Sequence, residues 1–152
     1  MKASVFALVL FTTVTLNACS TMTQSPEKIA STQQSMLGSW TLQKASLLPE
    51  IPANILVTLR PDTNGSSNKL GASGFSGVNH FVGTASVDWE QQKIGFSALA
   101  STRMMGPEPR MQFEQAFLKQ MEQVVGFTLG QDGTLTLSTV EGEKIIFQHG
   151  TQ

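Results

Sequence analysis

The sequence is poor in the residues that most often carry chemistry. Its 152 residues include one cysteine, two histidines and no tyrosine, and only 14% of them are charged. It has no Gly-x-x-x-x-Gly-Lys loop for a phosphate and no internal repeat. Neither histidine lies in a context typical of a Ser-His-acid triad or a metal site. We therefore expect no enzymatic activity, no cofactor and no metal, and a single cysteine excludes a disulfide within the chain.

Basic residues are too few for a protein that binds nucleic acid. The chain has 10 lysines and arginines against 11 acidic residues. Binding to nucleic acid, or electrostatic attachment to anionic lipid, requires clustered basic side chains. Length and composition instead indicate one globular domain with a modest core.

The N-terminus has the pattern of an export signal. A lysine at position 2 precedes an apolar run from Ala3 to Leu16, which is too short to span a bilayer. The run ends in Leu16-Asn17-Ala18-Cys19, which resembles the lipobox of bacterial lipoproteins. We expect residues 1–18 to be a lipoprotein signal peptide and Cys19 to carry the acyl chains that anchor the protein in the membrane. The alternative is an ordinary signal peptide that leaves Cys19 as a free thiol.

The residues after the cysteine indicate where the protein is anchored. Ser20 stands where an inner-membrane retention signal usually has Asp. By resemblance to enteric lipoproteins, this favours the outer membrane and its periplasmic face. Residues 19–35 are mostly polar and have few apolar side chains to bury, so we expect a flexible tether there. The folded domain then covers residues 36–150.

Hydrophobic periodicity predicts an α+β domain. Trp40 lies in an opening strand, where we expect a core position and a hydrogen-bonded indole N–H. The run from Met111 to Val125 has helical spacing, with two prolines before it and Gly126 as its C-terminal stop; Glu114 falls among the residues predicted to face solvent. Short alternating runs on both sides predict about eight strands. We expect a strongly bent antiparallel sheet, or open barrel, packed on one main helix.

A glycine-rich segment, Gly74 to Gly83, is the first candidate site. Its glycines, counted together with Gly71, are too frequent for a regular strand and predict positive φ angles or close backbone approach. Asn79 is predicted to bond neighbouring backbone groups and to stabilise an irregular turn. The functional alternative is that Asn79 and His80 border a binding mouth.

The segment Leu99 to Met105 is the second candidate. Thr102 and Arg103 complete the candidate binding surface with Asn79 and His80, and Arg103 offers a planar fork for a carboxylate or phosphate. The preferred interpretation is structural: Met104 and Met105 fill gaps in the core, and Arg103 pairs with a surface carboxylate.

These two segments and the helix after them resemble the META domain, or HslJ-like, family of small bacterial envelope and heat-shock-associated domains. The resemblance covers about residues 36–148. Many members have a cysteine before the Asn and another after the second segment, where this chain has Val78 and Gly106. The resemblance implies a fold similar to the cracked barrel of secretin-assembly pilot lipoproteins.

Three functions remain open. The favoured hypothesis is a non-enzymatic outer-membrane lipoprotein that binds an envelope protein partner or supports the envelope under stress, as the resemblance implies. The second is a carrier or sensor of a small apolar ligand held between sheet and helix. The third is an enzyme that uses Asn79, His80 or Arg103.

Overall fold

The computed structural model describes residues 24–48, 50–97 and 99–150. Two helices and nine strands follow one another in the order α1 (Pro26–Met36), β1 (Gly38–Ala45), β2 (Leu56–Pro61), β3 (Lys69–Phe75), β4 (His80–Asp88), β5 (Lys93–Phe96), β6 (Ala100–Ser101), α2 (Glu108–Glu122), β7 (Val124–Leu129), β8 (Thr134–Thr139) and β9 (Lys144–His149). The predicted signal peptide and Cys19 lie outside these ranges. Within them, no helix is both long enough and apolar enough to cross a membrane.

All the strands join one antiparallel sheet, in the order β5-β4-β3-β2-β1-β9-β8-β7. The short β6 pairs with β4 beside β5. The sheet curls until its two edges meet: the amide of Phe127 in β7 donates to the carbonyl oxygen of Gln92, before β5, at 3.0 Å. The result is a nearly closed barrel with α2 packed on it, which confirms the predicted α+β class.

Alternating side chains of the strands fill the barrel, and α2 adds aromatic rings to the core. Phe117 is fully buried; its ring centroid lies 5.9 Å from that of Phe113 and 6.4 Å from that of Phe81. Trp40 is also buried, and its indole N–H donates to the carbonyl oxygen of Met36 at 2.9 Å, as predicted. Burial of each such side chain contributes about 2–3 kcal/mol to folding.

The expectation of a flexible tether is wrong for residues 26–35, which belong to α1 (Pro26–Met36). The hydroxyl of Ser25 caps the helix by accepting from the amide of Lys28, and Pro26 occupies the first turn, where its missing N–H does not matter. Met36 is fully buried and Ile29 packs on the core. These two apolar side chains anchor a helix whose other residues are mostly polar, and the polar composition therefore gave the wrong prediction.

The predicted end of the main helix is also wrong. The helix stops at Glu122, and Val124 already begins β7, so that Gly126 lies in a strand rather than at a helix terminus. Consecutive β-branched valines favour a strand, and a register shift between Val124 and Gly126 accommodates the abrupt change of direction.

Asn79 and helix α1 lie at opposite ends of the barrel. Asn79 and Trp89 flank β4 at its opposite ends. Trp89 shares a cleft with Gln33 and Leu37, from the second half of α1 and the residue after it. Since β4 has nine residues, a span of roughly 25–30 Å, α1 and Asn79 lie at opposite ends of the molecule.

Candidate functional site

The turn between β3 and β4, residues 76–79, is the centre of the candidate site, and we call it the clamp loop. The amide of Ser76 donates to the carbonyl oxygen of Asn79 at 2.9 Å and closes the turn. A Cβ atom on Gly74 would collide with the carbonyl oxygen of Leu56 and with the ring of Phe81, and Gly77 has a φ of 124°. The glycine prediction is thus confirmed at these two positions.

The same prediction is wrong for Gly71 and Gly83. Both lie inside regular paired strands, and neither has a positive φ. Gly71 pairs with Thr84, and Gly83 pairs with Ala72.

A glutamate from α2 fills the clamp loop. Oε2 of Glu114 accepts hydrogen bonds from the hydroxyl of Ser76 at 2.7 Å, the amide of Asn79 at 2.7 Å and the amide of Val78 at 3.2 Å. Oε1 accepts from Nδ2 of Asn79 at 2.7 Å. Only 8% of Glu114 is exposed. Because hydrogen bonds to an ionised carboxylate are about twice as strong as neutral ones, the four donors fix the Glu114 side chain in the clamp loop.

The electrostatics of Glu114 follow from this arrangement. Burial alone raises the pKa of the carboxyl group, because it disfavours the charged form. The hydrogen bonds from the side chains of Ser76 and Asn79, and from the amides of Asn79 and Val78, outweigh burial and lower the pKa below its ordinary value. Glu114 is therefore a carboxylate at neutral pH.

Asn79 joins this carboxylate to the second candidate segment. Its Oδ1 accepts from the amide of Met104 at 2.7 Å and from the hydroxyl of Thr102 at 2.8 Å. Its Nδ2 donates to the carbonyl oxygen of Met104 at 3.3 Å as well as to Glu114. The side chain is 4% exposed, and every polar atom of it is bonded within the protein. The geometry therefore favours the structural interpretation of Asn79 over a role at a binding mouth.

The other three predicted site residues, His80, Thr102 and Arg103, are exposed, unlike the buried Asn79. Thr102 is tied to His80 by two hydrogen bonds: the amide of Thr102 donates to the His80 carbonyl oxygen, and the Thr102 hydroxyl accepts from the His80 amide. The exposed His80 ring lies 5.3 Å from that of Phe75. Arg103 is also exposed. Of the four predicted residues, His80 and Arg103 offer charged or titratable groups to solvent.

The prediction that Met104 and Met105 fill the core is wrong. Met105 is 91% exposed and Met104 is 53% exposed. Met111, in the first turns of α2, is 38% exposed, and its Sδ accepts from the amide of Gly106 at 3.5 Å. Fixing the Met104 backbone to Asn79 leaves the side chains of this loop outside the barrel. We call Met104, Met105 and Met111 the methionine surface.

A cleft continues the methionine surface between β6 and α2. It has a volume of about 490 Å³ and is lined by Ser101, Met111, Gln112, Glu114 and Leu118, among others. The walls combine apolar and polar groups.

Val78 in the clamp loop and Gly106 after the second candidate segment are in contact. A Cβ atom built on Gly106 would lie 2.7 Å from a methyl carbon of Val78 and 3.3 Å from its Cβ. The Val78 side chain therefore occupies the space that a side chain at position 106 would need. Apolar packing of Val78 on the Gly106 backbone connects the clamp loop to the methionine segment in this chain.

Glu114 is the site residue that sequence reasoning missed. It lies three residues before Phe117 and seven before Met121, so helical spacing puts it beside the buried face. Because glutamate is charged, we predicted that Glu114 faces solvent, whereas its helical spacing from Phe117 and Met121 indicates the buried face.

Within the described ranges, no group of three or more His, Cys, Asp or Glu side chains is arranged to hold a metal ion.

Comparisons with known proteins give one family match and two similar solved structures. The family model of the META domain matches residues 33–152. A protein from Burkholderia xenovorans, solved by NMR, is similar over 82% of this chain and 89% of its own, with 26% identity and a TM-score of 0.60. The crystal structure of a DUF4847 family protein from Bacteroides vulgatus covers 76% of this chain and 94% of its own, with 12% identity and a TM-score of 0.49. No curated protein matches significantly.

Proposed function

The chain belongs to the META domain family, and from this premise we propose that it is a non-enzymatic, lipid-anchored binding module of the outer membrane that faces the periplasm. Its partner is an envelope protein, and its role is in maintaining the envelope under stress. The observation that carries the proposal is the methionine surface, an exposed apolar patch of α2 and of the loop before it, in which Asn79 holds the backbone of Met104 by hydrogen bonds.

Methionine suits a surface that binds a protein. Its thioether is apolar and polarizable, and its unbranched side chain adapts to the shape of a partner. Met105, at 91% exposed, gains the most burial from an interface. The adjoining cleft between β6 and α2 offers a recess for one partner side chain.

The Asn79–Glu114 pair supports the same proposal through rigidity. The Met104 backbone is held at both its N–H and its C=O by Asn79. A loop that is already ordered loses less conformational entropy on binding, so more of the contact energy appears as affinity.

Acylation of Cys19 would suit this arrangement. The cysteine precedes α1, and α1 lies at the end of the barrel opposite to Asn79. An anchor on that side would turn α1 toward the membrane and the methionine surface toward the periplasm, where an envelope protein could reach it.

The two other hypotheses have weaker support. A carrier of a small apolar ligand between sheet and helix would need space that the rings of Phe81, Phe113 and Phe117 now fill. An enzyme that used Asn79 would have to break hydrogen bonds at both ends of its amide. Neither rearrangement is needed for binding at the methionine surface.

Cell fractionation tests the anchor. Cys19→Ser should move the protein from the outer-membrane fraction to the soluble periplasm, because the acyl chains are its only predicted membrane contact. Cys19→Ala is the second variant and should behave identically. Membrane retention of both variants would overturn the proposed anchor.

Site-specific photo-crosslinking in intact cells tests the binding surface. A photoreactive residue at Met105 should give a discrete protein adduct, whereas the same residue at the exposed Ser66, near α1 at the other end of the barrel, should not. Loss of the adduct in a Met104→Asp/Met111→Asp background would assign it to this surface. No adduct at Met105, or the same adduct at Ser66, would overturn the proposal.

A further inference from the structure

We propose that Met104, Met105 and Met111 form a methionine oxidation site, which takes up oxygen from peroxide-class oxidants while the domain stays folded. The site is defined by its own exposure and does not depend on the proposed partner.

The chain sorts its methionines into two clear groups. Among the described residues, Met104, Met105 and Met111 are 53%, 91% and 38% exposed, whereas Met36 and Met121 are fully buried. Susceptibility of a thioether to oxidation follows its exposure to the oxidant. The expected order of reaction is therefore Met105, then Met104, then Met111, with the two buried residues unreactive until the protein unfolds.

The reaction itself needs only the oxidant. The thioether sulfur attacks one oxygen of hydrogen peroxide, the O–O bond breaks, and the sulfur becomes a sulfoxide. The sulfur is oxidised by two electrons, and the second oxygen leaves as water after proton transfer. Each event adds one oxygen atom to a methionine.

The local structure explains why the fold should survive. The backbone of Met104 is bonded to Asn79, which is in turn bonded to Glu114, and these contacts involve no thioether. New sulfoxide oxygens on Met104 and Met105 would point into solvent. At Met111 the sulfur already accepts from the amide of Gly106, and a sulfoxide oxygen is a stronger acceptor for the same donor.

Oxidation changes the chemistry of the surface, since a sulfoxide is polar where the thioether was apolar. The methionine surface would lose its apolar character without losing its shape. Met36 and Met121 are buried and stay unoxidised, so the core does not change. The change in polarity is therefore confined to the methionine surface.

Peptide mass mapping of the whole protein after peroxide treatment tests the inference. Trypsin cleaves after Arg103, Arg110 and Lys119, so Met104 and Met105 share one peptide while Met111 and Met121 fall in two others. Met36 lies in a further peptide that ends at Lys44. We expect two added oxygens on the first peptide, one on the Met111 peptide and none on the Met36 and Met121 peptides. The thermal unfolding transition should remain cooperative.

Two controls sharpen the result. Met104→Leu/Met105→Leu/Met111→Leu keeps the apolar volume and should take up no oxygen in these peptides. Peroxide treatment in denaturant should oxidise Met36 and Met121 as fast as the others. Oxidation of Met36 or Met121 in the folded protein at the same dose, or loss of the folding transition with the first oxygens, would overturn the inference.

Discussion

The side-chain amide of Asn79 and the carboxylate of Glu114 meet at 2.7 Å across the junction of sheet and helix, although 35 residues separate them in the chain. Asn79 also holds the backbone of Met104. One amide thus connects the end of the barrel, the main helix and the methionine segment.

Replacing Glu114 by Gln should destabilise the protein strongly for such a small change. An NH₂ group in place of Oε1 would face the Asn79 amide donor, and in place of Oε2 it would face Ser76 and two backbone amides. We expect the free energy of unfolding to fall by about 2–3 kcal/mol, as measured by urea denaturation. Glu122→Gln, at an exposed position of the same helix, is the matched control and should change it by less than about 0.5 kcal/mol. Equal losses would contradict the account.

The pairing itself can be tested by exchanging the two chemical groups. Asn79→Asp alone sets two carboxylates against each other and should be severely destabilising. In the Glu114→Gln background, the new carboxylate at position 79 accepts from the new amide at position 114, so part of the loss should be recovered. A double-mutant cycle should give a favourable coupling of about 1–3 kcal/mol. Simple additivity would mean that the two side chains do not interact as described.

Acid should weaken this part of the fold. Glu114 has a lowered pKa in the folded protein, so the folded state binds fewer protons than the unfolded chain. Its contribution is fully present above the unfolded pKa of about 4.3 and disappears as the pH falls through the folded pKa. The stability difference between wild type and Glu114→Gln should therefore shrink below about pH 4.3. A difference that stays constant from neutral to acid pH would exclude this linkage.

The contact between Val78 and Gly106 predicts an engineered disulfide. A Cβ atom built on Gly106 lies 3.3 Å from the Cβ of Val78, slightly below the usual range of about 3.5–4.5 Å in disulfides. In a Cys19→Ser background, Val78→Cys/Gly106→Cys should oxidise to a bridge and gain about 3 kcal/mol over its reduced form. Thiol titration and unfolding with and without reductant would measure both. Two free thiols after oxidation would show that the segments are too far apart.

The substitution Gly106→Ala tests the same contact between Val78 and Gly106 by adding a side chain to it. Its Cβ would press on the methyl groups of Val78, so the variant should lose about 1–3 kcal/mol of stability. The same substitution should be tolerated better with Val78→Ala, which removes those methyl groups. Urea denaturation of the four proteins measures this compensation, and its absence would count against the packing.

The sequence was a good guide wherever periodicity and chain geometry decide the structure. Alternation in the strands and the Phe spacing in α2 predicted the α+β barrel, and the indole of Trp40 is buried and bonded as expected. The positive φ of Gly77 also followed from local sterics. These features depend on near neighbours in the chain or on a repeated pattern.

The errors concern residues whose position is set by distant partners. Glu114 is buried because four hydrogen-bond donors of the clamp loop bind its carboxylate. The polarity of a glutamate in the sequence does not indicate that such donors lie opposite it. Met104 is exposed because Asn79 holds its backbone in a loop outside the barrel. The helix α1 forms because Ile29 and Met36 dock on a core that the polar segment does not itself contain.

Native-state hydrogen exchange of the Met104 amide tests most directly whether Asn79 holds the methionine segment. The amide is bonded to Oδ1 of Asn79, whereas the nearby Thr102 amide is bonded to a backbone oxygen. We predict that Met104 is protected in the wild type and loses protection in Asn79→Ser, while Thr102 keeps more of its protection. Fast exchange of Met104 in the wild type, or equal protection of Met104 in both proteins, would contradict the account.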